Sequence, residues 1–327
     1  MNFKYIVQRS VLTVFLIFLT ITIIFFFIRL MPGDMIDYLA SSGASQEEVQ
    51  QIRELWGLDQ PLYVQYLDFL TNLVTGDAGM SLQYRRPVWE VVRPRLLNSL
   101  VLLLPAVVVN YIIGSGLGAV IGTKVGSRTE KLGIIVPTMF GTVPQFFMGI
   151  ILLTLLGGGL FNLFPTGGLV SADTYSGNPL SVYLTVDFLW HYTLPFLTLT
   201  LTGIYLPTLI MRSSIVEVSG QDFMFYHKIK GTPRRTRILR LMRHASLPVV
   251  TNLPTAFTTI ISGSVLIELI FNWPGMGLLL VQSTLVRDFP VIQVIFAVLA
   301  AMIIIGNFAV DILYSVLDPR VTVGGGS

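Results

Sequence analysis

The chain has 327 residues, of which 53% are apolar and only 12% are charged, against roughly a quarter charged in soluble domains. Its mean hydropathy is +0.73 and its formal net charge +3. This balance excludes a disordered chain, a coiled coil and nearly every soluble enzyme of this length, and leaves an integral membrane protein. The absence of cysteine rules out disulfides, a thiol nucleophile and Cys-ligated metal. The three histidines, His191, His227 and His244, form no H-E-x-x-H.

A membrane-spanning helix needs about 20 mostly apolar residues. Six stretches qualify: 10–31, broken only by Arg29; a span within 96–123; one from near Leu132 to the Gly157-Gly158-Gly159 run; about 188–211; about 245–267; and about 289–309. They are too long and too uncharged for barrel strands. The first exceeds the roughly 7–15 residues of a signal core and lacks a small-x-small cleavage site, so a retained anchor is expected. Between the first two spans, Ser45-x-x-Glu48 followed by Val49, Ile52, Leu55 and Trp56 predicts a capped helix. Tyr63, Tyr66, Leu67, Leu70 and Leu73 predict a second one ending near Gly76.

Charge placement gives the orientation. Fourteen of the 21 basic residues fall at the N-terminus, in the loop after the second span, in the loop after the fourth and in the tail; eight of them lie within 212–243. Nine of the 18 acids lie within 34–90. The positive-inside rule therefore predicts cytoplasmic termini and an extracytoplasmic 32–95 segment. Within 212–243, residues 221–229 read as a short helix ending at Gly231-Thr232-Pro233, and 236–243 as a second one. Such a hairpin serves either a cytoplasmic partner or anionic lipid. Nucleic acid is not expected as a partner, because topology already accounts for the basic charge.

At this hairpin the sequence resembles a known family. Ser214-x-x-Glu217-Val218, Gln221-Asp222-Phe223, Lys228-x-Lys230-Gly231 and Arg243-His244-Ala245-x-Leu247-Pro248 are similar to the cytoplasmic loop of ABC-importer permeases, above all the B-type subunit of dipeptide/oligopeptide importers. Met31-Pro32-Gly33-Asp34, Leu58-Asp59-Gln60-Pro61-Leu62, Gly76-Asp77-x-Gly79-x-Ser81, Phe271-Asn272-Trp273-Pro274-Gly275-Met276-Gly277, Asp288-x-Pro290-Val291 and Asp311-x-x-Tyr314-x-x-Leu317-Asp318-Pro319-Arg320 follow the family's order. The resemblance implies an all-α integral membrane protein of the type I ABC importer fold, with six transmembrane helices, an outer helical segment and a cytoplasmic coupling-helix hairpin.

On that reading the chain comprises a tail and first span (1–31), an extracytoplasmic helical segment (32–95) and a five-helix core (96–320). The core carries a coupling loop at 212–247 and a re-entrant loop at 268–280. The 321–327 tail ends in Gly324-Gly325-Gly326-Ser327, which reads as an appended linker. The implied partners are a C-type permease subunit, two ATP-binding subunits at the loop, an extracytoplasmic solute-binding protein and membrane lipid. The implied cargo is a di- or oligopeptide, with oligosaccharides or nickel chelates as alternatives. No G-x-x-x-x-G-K-[ST] occurs, so the chain is expected to bind no cofactor and to catalyse nothing, with ATP and Mg on partner subunits. An intramembrane protease fails for want of its motifs, and a stand-alone channel or secondary carrier shows no internal repeat in support.

The resemblance assigns ATPase coupling to Glu217, Asp222, Phe225, Tyr226, His227, Lys230, Gly231 and Arg234. Phe225, Tyr226 and His227 stand where the broad motif has Glu-Ala-Ala, so bulky residues replace small ones. Pathway or gate candidates are Glu268, Trp273, Pro274, Gly275 and Asp311. Glu268 either gates the pathway or staples the re-entrant loop through an ion pair. Asp311 is expected to pair with Arg212 or Lys124. His191, beside Trp190 and Tyr192, suggests an interfacial belt. Gly114, Gly118 and Gly122 predict a tight helix contact, with the subunit seam as one place for it. Pro137, Pro144, Pro195, Pro207 and Pro254 predict kinks or unwound turns along a pathway.

Overall fold

A computed structural model describes residues 3–30, 45–55, 57–172 and 180–317. The Met31–Asp34 motif, Trp56, Asp318-Pro319-Arg320 and the 321–327 tail lie outside the described residues. So do the side chains of Glu48, Lys228 and Arg234. Among the described residues the regular structure is helical: α1 (Phe3–Leu30), α2 (Gln46–Leu55), α3 (Leu62–Thr75), α4 (Val88–Gly122), α5 (Arg128–Gly141), α6 (Gln145–Leu152), α7 (Val186–Gly203), α8 (Tyr205–Ser219), α9 (Asp222–Ile229), α10 (Arg234–Thr251), α11 (Leu253–Ile270), α12 (Met276–Leu285) and α13 (Phe289–Leu317).

Among the described residues, five stretches are long and apolar enough to cross a membrane: Ile6–Leu30, Val88–Gly122, Val186–Ser219, Leu253–Ile270 and Phe289–Ile312. A sixth is the pair α5 and α6, bent by 92°. Several boundaries differ from the sequence reading. The second helix starts at Val88, eight residues before the apolar run. The fourth span is α7 and α8 in succession, interrupted at Ile204 and continuing to Ser219. The fifth span does not begin near residue 245: Pro248 lies inside α10, and the chain breaks at Asn252 before α11. Pro254, at the first turn of α11, lacks the N–H a helix interior needs, so it marks the boundary instead. Of the five prolines expected at kinks, Pro144, Pro207 and Pro254 lie at breaks, whereas Pro137 and Pro195 sit inside α5 and α7.

The contacts gather the chain into two compact units. One takes the described residues within 10–99 and 274–305. Its core joins Val88, Val91 and Val92 of α4 to Met276 and Leu279 of α12 and Val291, Val294 and Ile295 of α13. Three polar pins hold it. Asn98 donates to the Pro274 carbonyl at 2.7 Å, and the Met276 amide donates to Ser99 Oγ at 2.8 Å. Buried Asp288, just before α13, accepts from Ser81 Oγ at 2.5 Å and from the Gln83 amide at 3.2 Å. Towards the end of α1, Phe25 packs on Tyr66 and Phe69 of α3, and Thr22 Oγ1 lies 2.6 Å from Tyr66 Oη. The two helices predicted between the first two spans are present, and α3 ends at left-handed Gly76.

The other unit takes the described residues within 1–9, 100–273 and 306–327. Here α4 lies against α8 along the glycine stripe. A Cβ on Gly114 would sit 2.8 Å from the Ile204 carbonyl oxygen, and one on Gly122 would sit 2.8 Å from Ile215 Cβ. One on Gly118 would collide with the Thr208 carbonyl oxygen and approach Met211 Cβ to 2.8 Å. The tight contact was expected, but it lies within this chain, not at a subunit seam. At the end of α4 the chain turns through Gly126. Ser127 caps α5 by accepting from the Glu130 amide at 3.1 Å, and the Glu130 carboxylate accepts from the Gly126 amide at 2.5 Å. That buried carboxylate also takes a two-pronged ion pair from Arg212 of α8, with Nε at 3.0 Å. Arg212 is thus committed to Glu130. Asp311 pairs instead with Arg9 of α1 at 3.2 Å, which corrects the expected Arg212 or Lys124 partner.

Two predictions follow from this packing. Gly118→Ala should cost about 1–3 kcal/mol, since the colliding atoms belong to backbone and to a helix-borne Cβ. Gly116→Ala, with nothing within 4 Å, should be neutral or mildly stabilising; thermal unfolding in detergent distinguishes them. Arg212→Ala should lower the unfolding temperature by leaving the Glu130 charge without its partner, and adding Glu130→Gln should recover part of that loss in a double-mutant cycle.

Candidate functional site: a hairpin with an aromatic face

The segment after α8 turns at Gly220 and forms α9, then a left-handed Gly231 with φ of +65°, then α10. Left-handed backbone costs other residues roughly 1–2 kcal/mol, so Gly231 suits this turn. Pro233 precedes the first residue of α10 with extended geometry, φ −52° and ψ 141°. The hairpin expected from Gly231-Thr232-Pro233 is therefore present, and its second helix runs on to Thr251.

One face of α9 is rooted. Phe223 and Met224, with Met242 of α10, pack on a buried cluster of Ala119, Met211, Ile215, Val218, Leu241, Ala245 and Val249. The Phe223 ring lies 4.8 Å from the His244 ring. The other face is bare: Phe225, Tyr226 and Ile229 are 63%, 64% and 67% exposed. His227, one turn after Phe223, shares the rooted face, with its ring centroid 6.4 Å from that of Phe223. Arg240 Nη1 approaches its ring nitrogens at 2.8 and 3.0 Å, as a donor to whichever lacks the proton. Partial desolvation, then the charges of Arg240 and Lys230, hold His227 below the usual imidazole value. Asp222 occupies the first turn of α9, where a carboxylate complements the helix dipole. Glu217 is in the last turn of α8, and Lys230 is exposed just before the Gly231 turn. Arg234 begins α10.

The gate candidates are dispersed. Glu268, in the last turn of α11, is fully buried, and its carbonyl accepts from the Trp273 amide at 2.8 Å. Buried Trp273 lies against Phe188 and Tyr192 of α7, with centroids 5.9 and 6.0 Å away. Phe271 just before it accepts from the Gly168 amide at 2.9 Å. In the other unit, Pro274 accepts from Asn98, and Gly275 caps α12. Asp311, paired with Arg9, belongs to neither cluster. His191 is buried and bonded to the Asp187 carbonyl at 2.9 Å, whereas its neighbour Trp190 is exposed. No group of three potential metal ligands occurs among the described residues.

Sequence reasoning missed the Glu130–Arg212 pair, although Ser127-x-x-Glu130 spells a capping box. It also missed Asp288 as the pin of its turn.

The family described as "Binding-protein-dependent transport system inner membrane component" matches residues 114–323, and its N-terminal companion matches residues 2–103. Among curated relatives, an oligopeptide transport system permease protein of Bacillus subtilis is 34% identical, over 97% of this chain and 98% of the relative. A dipeptide transport system permease of Escherichia coli K12 is 33% identical, over 93% and 94%. A glutathione transport system permease of the same strain is 30% identical, over 97% and 98%. With both family matches and full-length relatives, the chain belongs to the inner-membrane components of binding-protein-dependent transport systems.

Proposed function

We propose that this chain is the permease subunit of an ATP-driven, binding-protein-dependent importer of short peptides. It forms half of a pathway shared with a second permease subunit and has its termini in the cytoplasm. The observation that carries the proposal is the α9–α10 hairpin: a short helix rooted by Phe223 and Met224 on one face and bare in Phe225, Tyr226 and Ile229 on the other. An exposed apolar patch on a rigid element is a docking face. Its flanks are basic, and it projects from the side that the Lys/Arg distribution assigns to the cytoplasm.

The assigned partner is an ATP-hydrolysing subunit. When a pair of such subunits closes on ATP, α9 moves with them. The Phe223–Met224 root passes that motion to α8, and the glycine seam passes it on to α4. Alternating access follows as rigid-body rocking. Phe225 stands where the broader motif has Glu and Tyr226 where it has Ala, so here the docking is by insertion of aromatic side chains, which bury large apolar areas at low entropic cost. Support for the peptide cargo comes from the oligopeptide, dipeptide and glutathione systems to which the three relatives belong.

The test is the complete importer in vesicles, with labelled tripeptide outside and ATP within. Gly231→Val, which strains the turn, and Phe225→Asp, which puts charge in the docking face, should each lower uptake per ATP hydrolysed at least about tenfold. Unchanged stoichiometry in both would remove the coupling role from α9. The His227 contact gives a pH dependence. Its folded value is lowered, so the hairpin contact is intact above the ordinary imidazole value of roughly 6.5 and is lost as pH falls through the lowered value. The wild type should therefore lose coupling as pH falls below about 6.5 relative to His227→Gln, whose amide does not titrate; parallel profiles would exclude this role for His227.

A further inference from the structure

Helix α3 meets the first span below its end. Thr22 Oγ1 and Tyr66 Oη are 2.6 Å apart, Phe25 stacks on Phe69 with centroids 5.4 Å apart, and Phe26 stacks on Tyr66 at 5.6 Å. The apolar stretch Ile6–Leu30 has 25 residues. At about 1.5 Å per residue it is about 37 Å long, about 7 Å more than a hydrocarbon core of about 30 Å. Centred on that core, it puts Phe26 about 2 Å and Thr22 about 8 Å below the hydrocarbon edge. A helix lying in the membrane interface buries its apolar face to a depth of about 5–10 Å. The contact therefore holds α3 at the depth of such a helix.

Its sequence suits that place. At about 100° per residue, Tyr63, Leu67, Leu70 and Val74 fall on one stripe about 60° wide. Tyr63, Leu67 and Val74 are 67%, 57% and 88% exposed, and Leu70 is half-buried. Beside the contact on α1, Ile23 and Phe27 are exposed as well. The only charge of α3, Asp68, lies on the side away from the stripe, with Gln65 and Asn72. Asp68 and Asn72 line a cavity of about 620 Å³ within this unit, together with Arg29 and Glu54. Thr71 and Thr75 donate back to the Leu67 and Thr71 carbonyls at 2.8 and 2.9 Å, so their hydroxyls need no water. An apolar side and a polar side that both run the length of a helix fit one lying along an interface, not one crossing it.

We propose that α3 is an in-plane membrane anchor. Its stripe from Tyr63 to Val74 lies on the acyl chains of the leaflet that holds the end of α1, and its Asp68–Asn72 side faces water. A bilayer fits this face better than a protein partner does, because the face sits at hydrocarbon depth and beside a lipid-facing span. The one polar group on the stripe, the Tyr63 hydroxyl, suits the headgroup level. The segment between the first two spans is then seated in the membrane instead of standing above it, and only its polar side is left for a soluble partner. The anchor holds for any cargo and for either orientation of α1.

The whole importer, with any cysteines of its other subunits replaced, would be reconstituted in vesicles of phosphatidylcholine and phosphatidylglycerol. One nitroxide label at a time would be attached at Tyr63→Cys, Leu67→Cys or Val74→Cys, with Ile23→Cys as the lipid reference and Asn72→Cys as the water reference. Relaxation by oxygen, which concentrates in hydrocarbon, and by water-soluble chromium oxalate reads each site. The oxygen-to-chromium ratio at the three stripe positions should exceed that at position 72 at least about fivefold and approach that at position 23. Ratios equal to that at position 72 would place the stripe in water, and exclusion of both reagents would place it under a protein. Either result overturns the anchor.

Discussion

Hydrocarbon offers no partner to a peptide N–H or C=O, so a chain that crosses it must carry its own. Most of the features described above follow from that constraint. The apolar runs become long helices because helices satisfy their backbone internally. Where the helices stop inside the core, between α5 and α6 and between α7 and α8, the interruption borders a cavity. Two carboxylates are held by ion pairs, Glu130 by Arg212 and Asp311 by Arg9, and buried Asp288 is held by hydrogen bonds from Ser81 and the Gln83 amide. Close helix approach comes from the glycine seam between α4 and α8, since removing Cβ atoms is the cheapest way to gain contact in a medium that gives apolar side chains no hydrophobic drive.

The same economy shapes the hairpin. Helix α9 is too short to be stable alone in water. Phe223 and Met224 anchor it to the cluster around Ile215 and Leu241, and Gly231 turns the chain into α10. What remains on the outer side, Phe225, Tyr226 and Ile229, is apolar surface that the fold leaves uncovered. The Glu130–Arg212 pair lies on the route from this hairpin to the spans, because Arg212 belongs to α8 and Glu130 to the first turn of α5. Motion applied at α9 therefore meets a stiff element rather than a loose loop.

Features that depend on local composition were legible in the sequence. Apolar runs gave the spans, and Gly231 with Pro233 marked the turn of the hairpin. The order of short motifs pointed to the family. The parts that were not legible depend on which groups meet in three dimensions. Pro248 and Pro254 are six residues apart, and nothing local says that the second breaks the helix while the first is absorbed. Asp311 has several bases within plausible reach; choosing Arg9 requires knowing that α1 and α13 come together at those residues. Asn110 looks like one polar residue in an apolar run, and only the fold shows its amide buried and donating to the Leu199 carbonyl of α7.

The central claim is that the bare face of α9 docks on an ATP-hydrolysing subunit. Because the chain has no cysteine, single cysteines can report contacts without background. Phe225→Cys, Tyr226→Cys and Ile229→Cys would each be placed in the assembled importer and treated with a short thiol cross-linker, with the still more exposed Leu184→Cys, before α7, as the control. The account predicts cross-links to the ATP-hydrolysing subunit from the three α9 positions, changing in yield when ATP is added, and none from position 184. An absence of cross-links from all three α9 positions in an importer that transports would contradict it.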